Sequence, residues 1–137
     1  MVKMIAALEG EQPIQILVVE DEPDVANLIV KLLKKTFDVE VDLAQDLGHA
    51  REKLLSSEFD LVTLDYLLPD GYSTELMRML PERPSRPAVI VVTGHGDEKV
   101  AAAFRGLGVD GFIIKNEALP GRLTEVVGRL LGAMAQA

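Results

Sequence analysis

The chain of 137 residues has no cysteine, which excludes disulfides and thiolate metal sites and removes an extracellular staple from consideration. No apolar run approaches the ~18 to 20 residues that a membrane helix needs, so no membrane segment is expected. The opening MVKMIAALEGEQP has only a short apolar patch and no convincing cleavage site, and it does not read as a signal peptide. Basic residues are scarce: 14 Lys and Arg stand against 22 Asp and Glu, a formal net charge of −8. That balance argues against a nucleic-acid partner and suits a cation site or a basic partner. Linkers and internal repeats are also missing. What remains is a chain 48% hydrophobic and 26% charged, ordinary globular usage with enough residues for one compact domain and its core. The expected location is the cytoplasm. Residues 1–12 read as an N-terminal tail and residues 13–137 as the single domain.

Two hydrophobic periods alternate along that domain. The run IQILVV (Ile14 to Val19) has the length of a strand and is apolar but for Gln15, as in a strand covered on both faces. Pro23 then sits where a helix begins and its missing N–H costs nothing, and Val25, Leu28, Ile29, Leu32 and Leu33 follow at amphipathic spacing. The pair recurs. VEVDLA (Val39 to Ala44) precedes a helix capped by Asp46 and carrying Leu47, Ala50, Leu54 and Leu55. DLVTL (Asp60 to Leu64) precedes a Pro-Asp-Gly turn and a short helix with Leu76, Met77 and Leu80, ended by the rigid PERPSRP. AVIVV (Ala88 to Val92) precedes a helix with Val100, Ala103, Phe104 and Leu107. GFII (Gly111 to Ile114) precedes a last helix with Leu123, Val126, Val127, Leu130, Leu131 and Met134. Strands alternating with helices through short loops predict an α/β domain, a parallel sheet wound on both faces.

The polar residues gather where the strands end. ILVV runs into Glu20-Asp21-Glu22, LVTL into Asp65, VIVV into Thr93 and GFII into Lys115, whereas the second strand ends in Ala44-Gln45, as an edge strand outside a site would. In an open parallel sheet, ligands bind beyond the carboxyl ends of the strands. Taken singly, these groups could be helix caps or solvated side chains; their joint placement on one rim favours a site. Three carboxylates there repel one another, at roughly 4 kcal/mol per pair for ~4 Å and an effective dielectric near 20. A hard divalent cation would relieve them, and carboxylates with waters and phosphate oxygens are the usual Mg²⁺ arrangement. Without a His or Cys cluster a transition metal is not expected. A Lys and a Thr hydroxyl facing the same cation suit a phosphoryl group, and a carboxylate is a competent nucleophile that forms an acyl phosphate.

Four pieces, ILVVEDEPDV, LVTLDYLLPDG, VVTGHGD and GFIIK, occur in that order and resemble the receiver domain of bacterial two-component response regulators from about residue 14 onward. The resemblance implies a flavodoxin-like (βα)5 fold with strand order 2-1-3-4-5. It implies that Asp65 accepts a phosphoryl group from a sensor histidine kinase or a histidine phosphotransfer protein. Glu20 and Asp21 would hold Mg²⁺ with Asp65 and the backbone carbonyl of Leu67. Thr93 and Lys115 would contact the phosphoryl oxygens, and Phe112 would be the aromatic switch. Thr93 would move toward the phosphoryl group, leaving space for Phe112 to turn into. A downstream protein would read the fourth helix, fifth strand and fifth helix, where Ala101 and Ala102 are either plain helix formers or part of a close-packed partner surface. The chain would be an isolated receiver or one cut from a longer regulator or hybrid kinase, with a homodimer left open. It would catalyse only its own phosphorylation and dephosphorylation.

The sequence departs from the family pattern at several positions. Asn116 follows the lysine where proline is usual; a cis bond there costs roughly 2.5 to 4 kcal/mol, so a trans peptide and a reshaped loop are expected. Glu20 stands where Asp is commoner, and its longer side chain could reach a metal through water. Phe112 has no hydroxyl and can signal only by packing. Leu67 and His95 occupy positions that tune dephosphorylation, and leucine cannot orient an attacking water, which predicts a long-lived phosphoryl group. His95 reads as a surface or helix-start residue, and His49 takes no role. Two alternatives remain: a degenerate receiver acting by protein contacts alone, and a Mg²⁺-dependent phosphatase working through an aspartyl phosphate. Leu67 disfavours the phosphatase, because such enzymes place a second acid there.

Overall fold

The computed structural model describes residues 13–82 and 85–136. The segment read as a tail, residues 1–12, lies outside them, as do Arg83 and Pro84 of the proline-rich loop. The elements in chain order are β1 (Ile14–Val19), α1 (Pro23–Thr36), β2 (Val39–Ala44), α2 (Leu47–Ser56) and β3 (Leu61–Leu64). A two-strand excursion, β4 (Leu67–Leu68) and β5 (Gly71–Tyr72), leads to α3 (Thr74–Met79). β6 (Ala88–Thr93), α4 (Glu98–Gly106), β7 (Gly111–Ile114) and α5 (Leu119–Gln136) complete the domain.

Five parallel strands form one sheet in the order β2-β1-β3-β6-β7, the expected 2-1-3-4-5 once the short hairpin is left out of the count. Successive strand residues point to opposite faces, and both faces are covered. Ile16, Val18, Leu61, Ile90, Val92 and Ile113 pack under α1 and α5, against Ile29, Leu33, Leu123, Val127 and Leu131. Leu17, Val19, Val62, Leu64, Val89 and Val91 pack under α2, α3 and α4, against Ala50, Leu76, Met77 and Phe104. This two-sided burial is why β1 from Ile16 onward, and β3 apart from Thr63, are apolar without alternation.

Local chemistry sets the element ends. Glu22 is the N-cap residue of α1 with Pro23 at its first position, and Asp46 caps α2 by accepting the His49 N–H at 2.8 Å. β3 starts at Leu61, one residue later than expected, because Asp60 is occupied at the rim: its N–H donates to the Gln15 carbonyl and its carboxylate accepts from the Gln15 N–H. α3 ends at Met79, with Leu80 as its extended cap before Pro81. Three residues expected on apolar stripes face outward: Leu55 is 74% exposed, Leu28 38% and Ala103 is exposed, since their helices bury only a narrow face. The β4–β5 hairpin was not expected; a two-residue strand is too short to leave a periodicity. Gly71 closes it at φ 146°, and a Cβ there would lie 2.9 Å from Leu47 Cδ1, so only glycine fits. Among the described residues, no helix is long and apolar enough to cross a membrane.

Candidate functional site

The parallel ladder continues one residue past the strand ends, and that extra step fixes the polar rim. Glu20 N donates to the Ala44 carbonyl at 2.9 Å, Asp65 N to the Val19 carbonyl at 3.1 Å, and Lys115 N to the Thr93 carbonyl at 2.9 Å. Each functional backbone is therefore pinned to the last residue of its neighbouring strand. The side chains then converge from different strands.

Glu20, Asp21 and Asp65 each present a carboxylate oxygen, all within 4.8 Å of one another. Glu20 is 2% exposed and Asp65 5%. Lys115, arriving from the sheet edge, places Nζ 2.8 Å from Asp65 Oδ2, 2.9 Å from Glu20 Oε1 and 3.0 Å from Glu22 Oε1. The second oxygens of Asp65 and Glu20 find peptide donors: Tyr66 N donates to Asp65 Oδ1 at 2.7 Å and Glu22 N to Glu20 Oε2 at 3.1 Å.

This packing sets the charges. Burial pushes the Glu20 carboxyl up to about 7, with the Asp65 charge adding to the rise and the Lys115 hydrogen bond working against it. The Lys115 ammonium is held well above the usual lysine range: burial opposes its charge, but the hydrogen bonds to Asp65, Glu20 and Glu22 outweigh that cost. The site is thus a buried acidic group held together by one firmly protonated lysine.

A cleft of about 520 Å³ opens beside it, lined by Asp21, Glu22, Asp65, Leu67, His95 and Lys115 among others. Of the residues singled out in the sequence, Glu20, Asp21, Asp65 and Lys115 meet directly, and Leu67 borders the same cleft. Thr93 is fully buried, and its hydroxyl is engaged within its own loop, accepting the His95 N–H at 3.1 Å. Phe112 lies apart from the cleft on the α4 side of the sheet, with its ring centroid 6.2 Å from that of Phe104. His95 is exposed, its ring edge-on to Tyr66 at 6.0 Å, and His49 pairs with Asp46 at 2.9 Å.

Several participants carry no clear mark in the sequence. Glu22 reaches Lys115 across the cleft at 3.0 Å. Asp70, in the turn beyond the site, accepts N–H groups from the start of α2. Tyr66 touches Tyr72, His95 and Phe104, with ring centroids 5.1, 6.0 and 5.8 Å away, and so joins the hairpin, the Thr93 loop and α4. Asn116 supplies acceptors to the loop before α5: its Oδ1 takes the Ala118 N–H at 2.9 Å and its carbonyl the Leu119 N–H at 3.0 Å. The sequence signals for these were slight: a third acid, a turn aspartate, an aromatic after Asp65 and an asparagine at a helix start.

The response regulator receiver domain family matches residues 16–127. Response regulator protein PilR of Pseudomonas aeruginosa is 32% identical over 115 residues, which cover 84% of this chain and 25% of PilR. Response regulator ArlR of Staphylococcus saprophyticus is 32% identical over 117 residues, covering 85% of this chain and 50% of ArlR. The chain therefore spans between a quarter and a half of these relatives. In structure, it superposes on the signal receiver domain of a Vibrio parahaemolyticus LuxO repressor protein with a TM-score of 0.80 at 24% identity, over 92% of this chain and 94% of that one. That likeness establishes the fold; the sequence match over most of the domain establishes descent. The chain belongs to the receiver-domain family of two-component response regulators.

Proposed function

We propose that the chain is a phosphorylation-activated switch in a two-component phosphorelay, with Asp65 as the phosphoacceptor. The observation that carries this reading is the buried Asp65 carboxylate between two other carboxylates and a lysine ammonium, at the mouth of an open cleft. The donor set fits Mg²⁺: three carboxylates within 4.8 Å, all hard oxygen donors, with Glu20, Asp21, Asp65 and the Leu67 carbonyl as the residues that would hold it. When bound, such a cation offsets the carboxylate charges and polarises phosphoryl oxygens.

Asp65 attacks phosphorus with a carboxylate oxygen. An O–P bond forms while the P–N bond of a phosphohistidine breaks, and its electron pair stays on the departing imidazole. Lys115 and Thr93 receive the phosphoryl oxygens as hydrogen-bond donors. The Thr93 hydroxyl accepts the His95 N–H and keeps its own hydrogen to donate, and its movement toward the phosphoryl group frees packing space on the Phe112 side of the sheet. The active arrangement is favoured only by these differential contacts. Phosphodonors in this reading are a sensor histidine kinase or a histidine phosphotransfer protein, and a downstream protein reads α4, β7 and α5, in the cytoplasm. The chain performs chemistry only on itself.

Nuclear magnetic resonance with Mg²⁺ and beryllofluoride, a phosphoryl mimic, tests this. Shifts at Asp65, Thr93, Lys115 and Phe112, absent in Asp65→Asn, are expected. Shifts confined to the metal-holding residues would contradict the switch.

A further inference from the structure

Glu22 is not among the three carboxylates that converge on one point, yet its Oε1 lies 3.0 Å from Lys115 Nζ. An ammonium carries three hydrogens. Asp65 Oδ2 and Glu22 Oε1 each accept one here, and Glu20 Oε1 pairs with the same ammonium at 2.9 Å. A phosphoryl oxygen that reaches Lys115 therefore competes with carboxylates already gathered on the ammonium. Glu20 and Asp65 are buried and belong to the cation-holding group, whereas the Glu22 side chain is 62% exposed, so its contact is the one most readily exchanged.

Two other observations set Glu22 apart. It is the N-cap residue of α1, but its side chain makes no capping hydrogen bond. Its backbone is held between the Glu20 carboxylate, which accepts its N–H, and Pro23, which fixes the helix start. It also lines the cleft beside Asp65, so its charge faces the space a phosphoryl group would enter.

We propose that Glu22 is a positioning residue that holds one hydrogen of Lys115 until a phosphoryl group on Asp65 displaces it, and so lowers the site's affinity for that group. This rests on the phosphoacceptor reading above. Glutamine at this position keeps the length and removes the charge, so it competes weakly for the ammonium and does not repel the incoming anion. Loss of an exposed charge contact of ~1 kcal/mol, at ~1.4 kcal/mol per factor of ten, corresponds to about fivefold in affinity.

The test is the affinity of the full chain for beryllofluoride at fixed Mg²⁺, for wild type, Glu22→Gln, Glu22→Ala, Glu52→Gln and Asp65→Asn, with the Lys115 ammonium resonance followed in parallel. Glu52 is an exposed residue of α2 and controls for net charge. Both Glu22 variants are expected to bind about fivefold tighter, with Glu52→Gln at the wild-type value. The Lys115 resonance of the unliganded Glu22 variants is expected to be displaced from its wild-type position. Equal or weaker binding by the Glu22 variants overturns the proposal and leaves the phosphoacceptor reading intact. Equal tightening in Glu52→Gln also overturns it, since net charge then accounts for the effect. Absence of any Asp65-dependent binding by wild type overturns both readings.

Discussion

Asp70 Oδ1 accepts the peptide N–H of Leu47 at 2.8 Å, and its Oδ2 accepts that of Gly48 at 3.0 Å. The turn between β4 and β5 is thereby clamped to the N-terminus of α2, where peptide N–H groups lack partners and the helix dipole favours a negative charge. The hydrogen bond from Leu47, with that from Gly48, holds the Asp70 carboxyl below the usual aspartate range. Because the folded-state value is depressed, the stabilisation is present above the ordinary aspartate value and is lost as pH falls through the folded one. Asp70→Asn should lower the thermal midpoint at neutral pH, and its deficit against wild type should shrink under strong acid. A deficit independent of pH in melting curves would contradict the clamp.

Among the described residues, Lys115 is the cation bonded to the buried acids. Removing one partner of a buried ion group leaves an uncompensated charge, a cost of about 3 kcal/mol. Lys115→Met should lose about that much in urea unfolding without metal at neutral pH. Saturating Mg²⁺ should recover most of it, because a divalent cation replaces the missing charge and no longer competes with the ammonium. A variant as stable as wild type without metal would show that the three contacts contribute little.

The raised Glu20 carboxyl gives a pH dependence of the opposite sign to that of Asp70. Its folded value, about 7, lies above the ordinary 4.5, so its contribution is full below about 4.5 and is lost as pH rises through about 7. Asp65, Asp21, Glu22 and Lys115 face the same group. Without metal, stability should fall across that window by on the order of 3 kcal/mol, at ~1.4 kcal/mol for each pH interval of one between the two values. Glu20→Gln should flatten the profile, and Mg²⁺ affinity should rise over the same window as the proton leaves. A flat wild-type profile in unfolding measurements would refute this.

The sheet order and both core faces were legible because apolar runs and amphipathic periods are written along contiguous residues. Glu20, Asp21, Asp65 and Lys115 were legible for a related reason: each follows a readable strand, and parallel strands deliver their ends to one rim. Glu22 and Asp70 were not, since their roles depend on which way a side chain turns after its element ends. The β4–β5 hairpin is too short to carry a period. The His95 N–H that the Thr93 hydroxyl accepts was not legible either, since spacing does not encode the partner of a buried hydroxyl. Leu55 misleads because a leucine on a helix repeat does not reveal how wide the covered face is.

Leu67 is 40% exposed and borders the cleft together with His95. Its apolar side chain offers nothing to orient a water for attack on an acyl phosphate. Leu67→Asn adds an amide that can, and one hydrogen bond of ~1 kcal/mol or slightly more corresponds to up to roughly tenfold in rate. Phosphoryl loss followed by intact mass should therefore be several-fold faster in the variant. Equal or slower loss would count against the role given to this position.

The central claim is that Asp65 accepts a phosphoryl group. Its most direct test is the intact mass of the full chain after incubation with Mg²⁺ and a small-molecule phosphodonor, beside Asp65→Asn. The account predicts one phosphoryl adduct in wild type and none in the variant. An adduct in both would move the acceptor elsewhere, and no adduct or phosphate release in either would make the chain a receiver that acts through protein contacts alone.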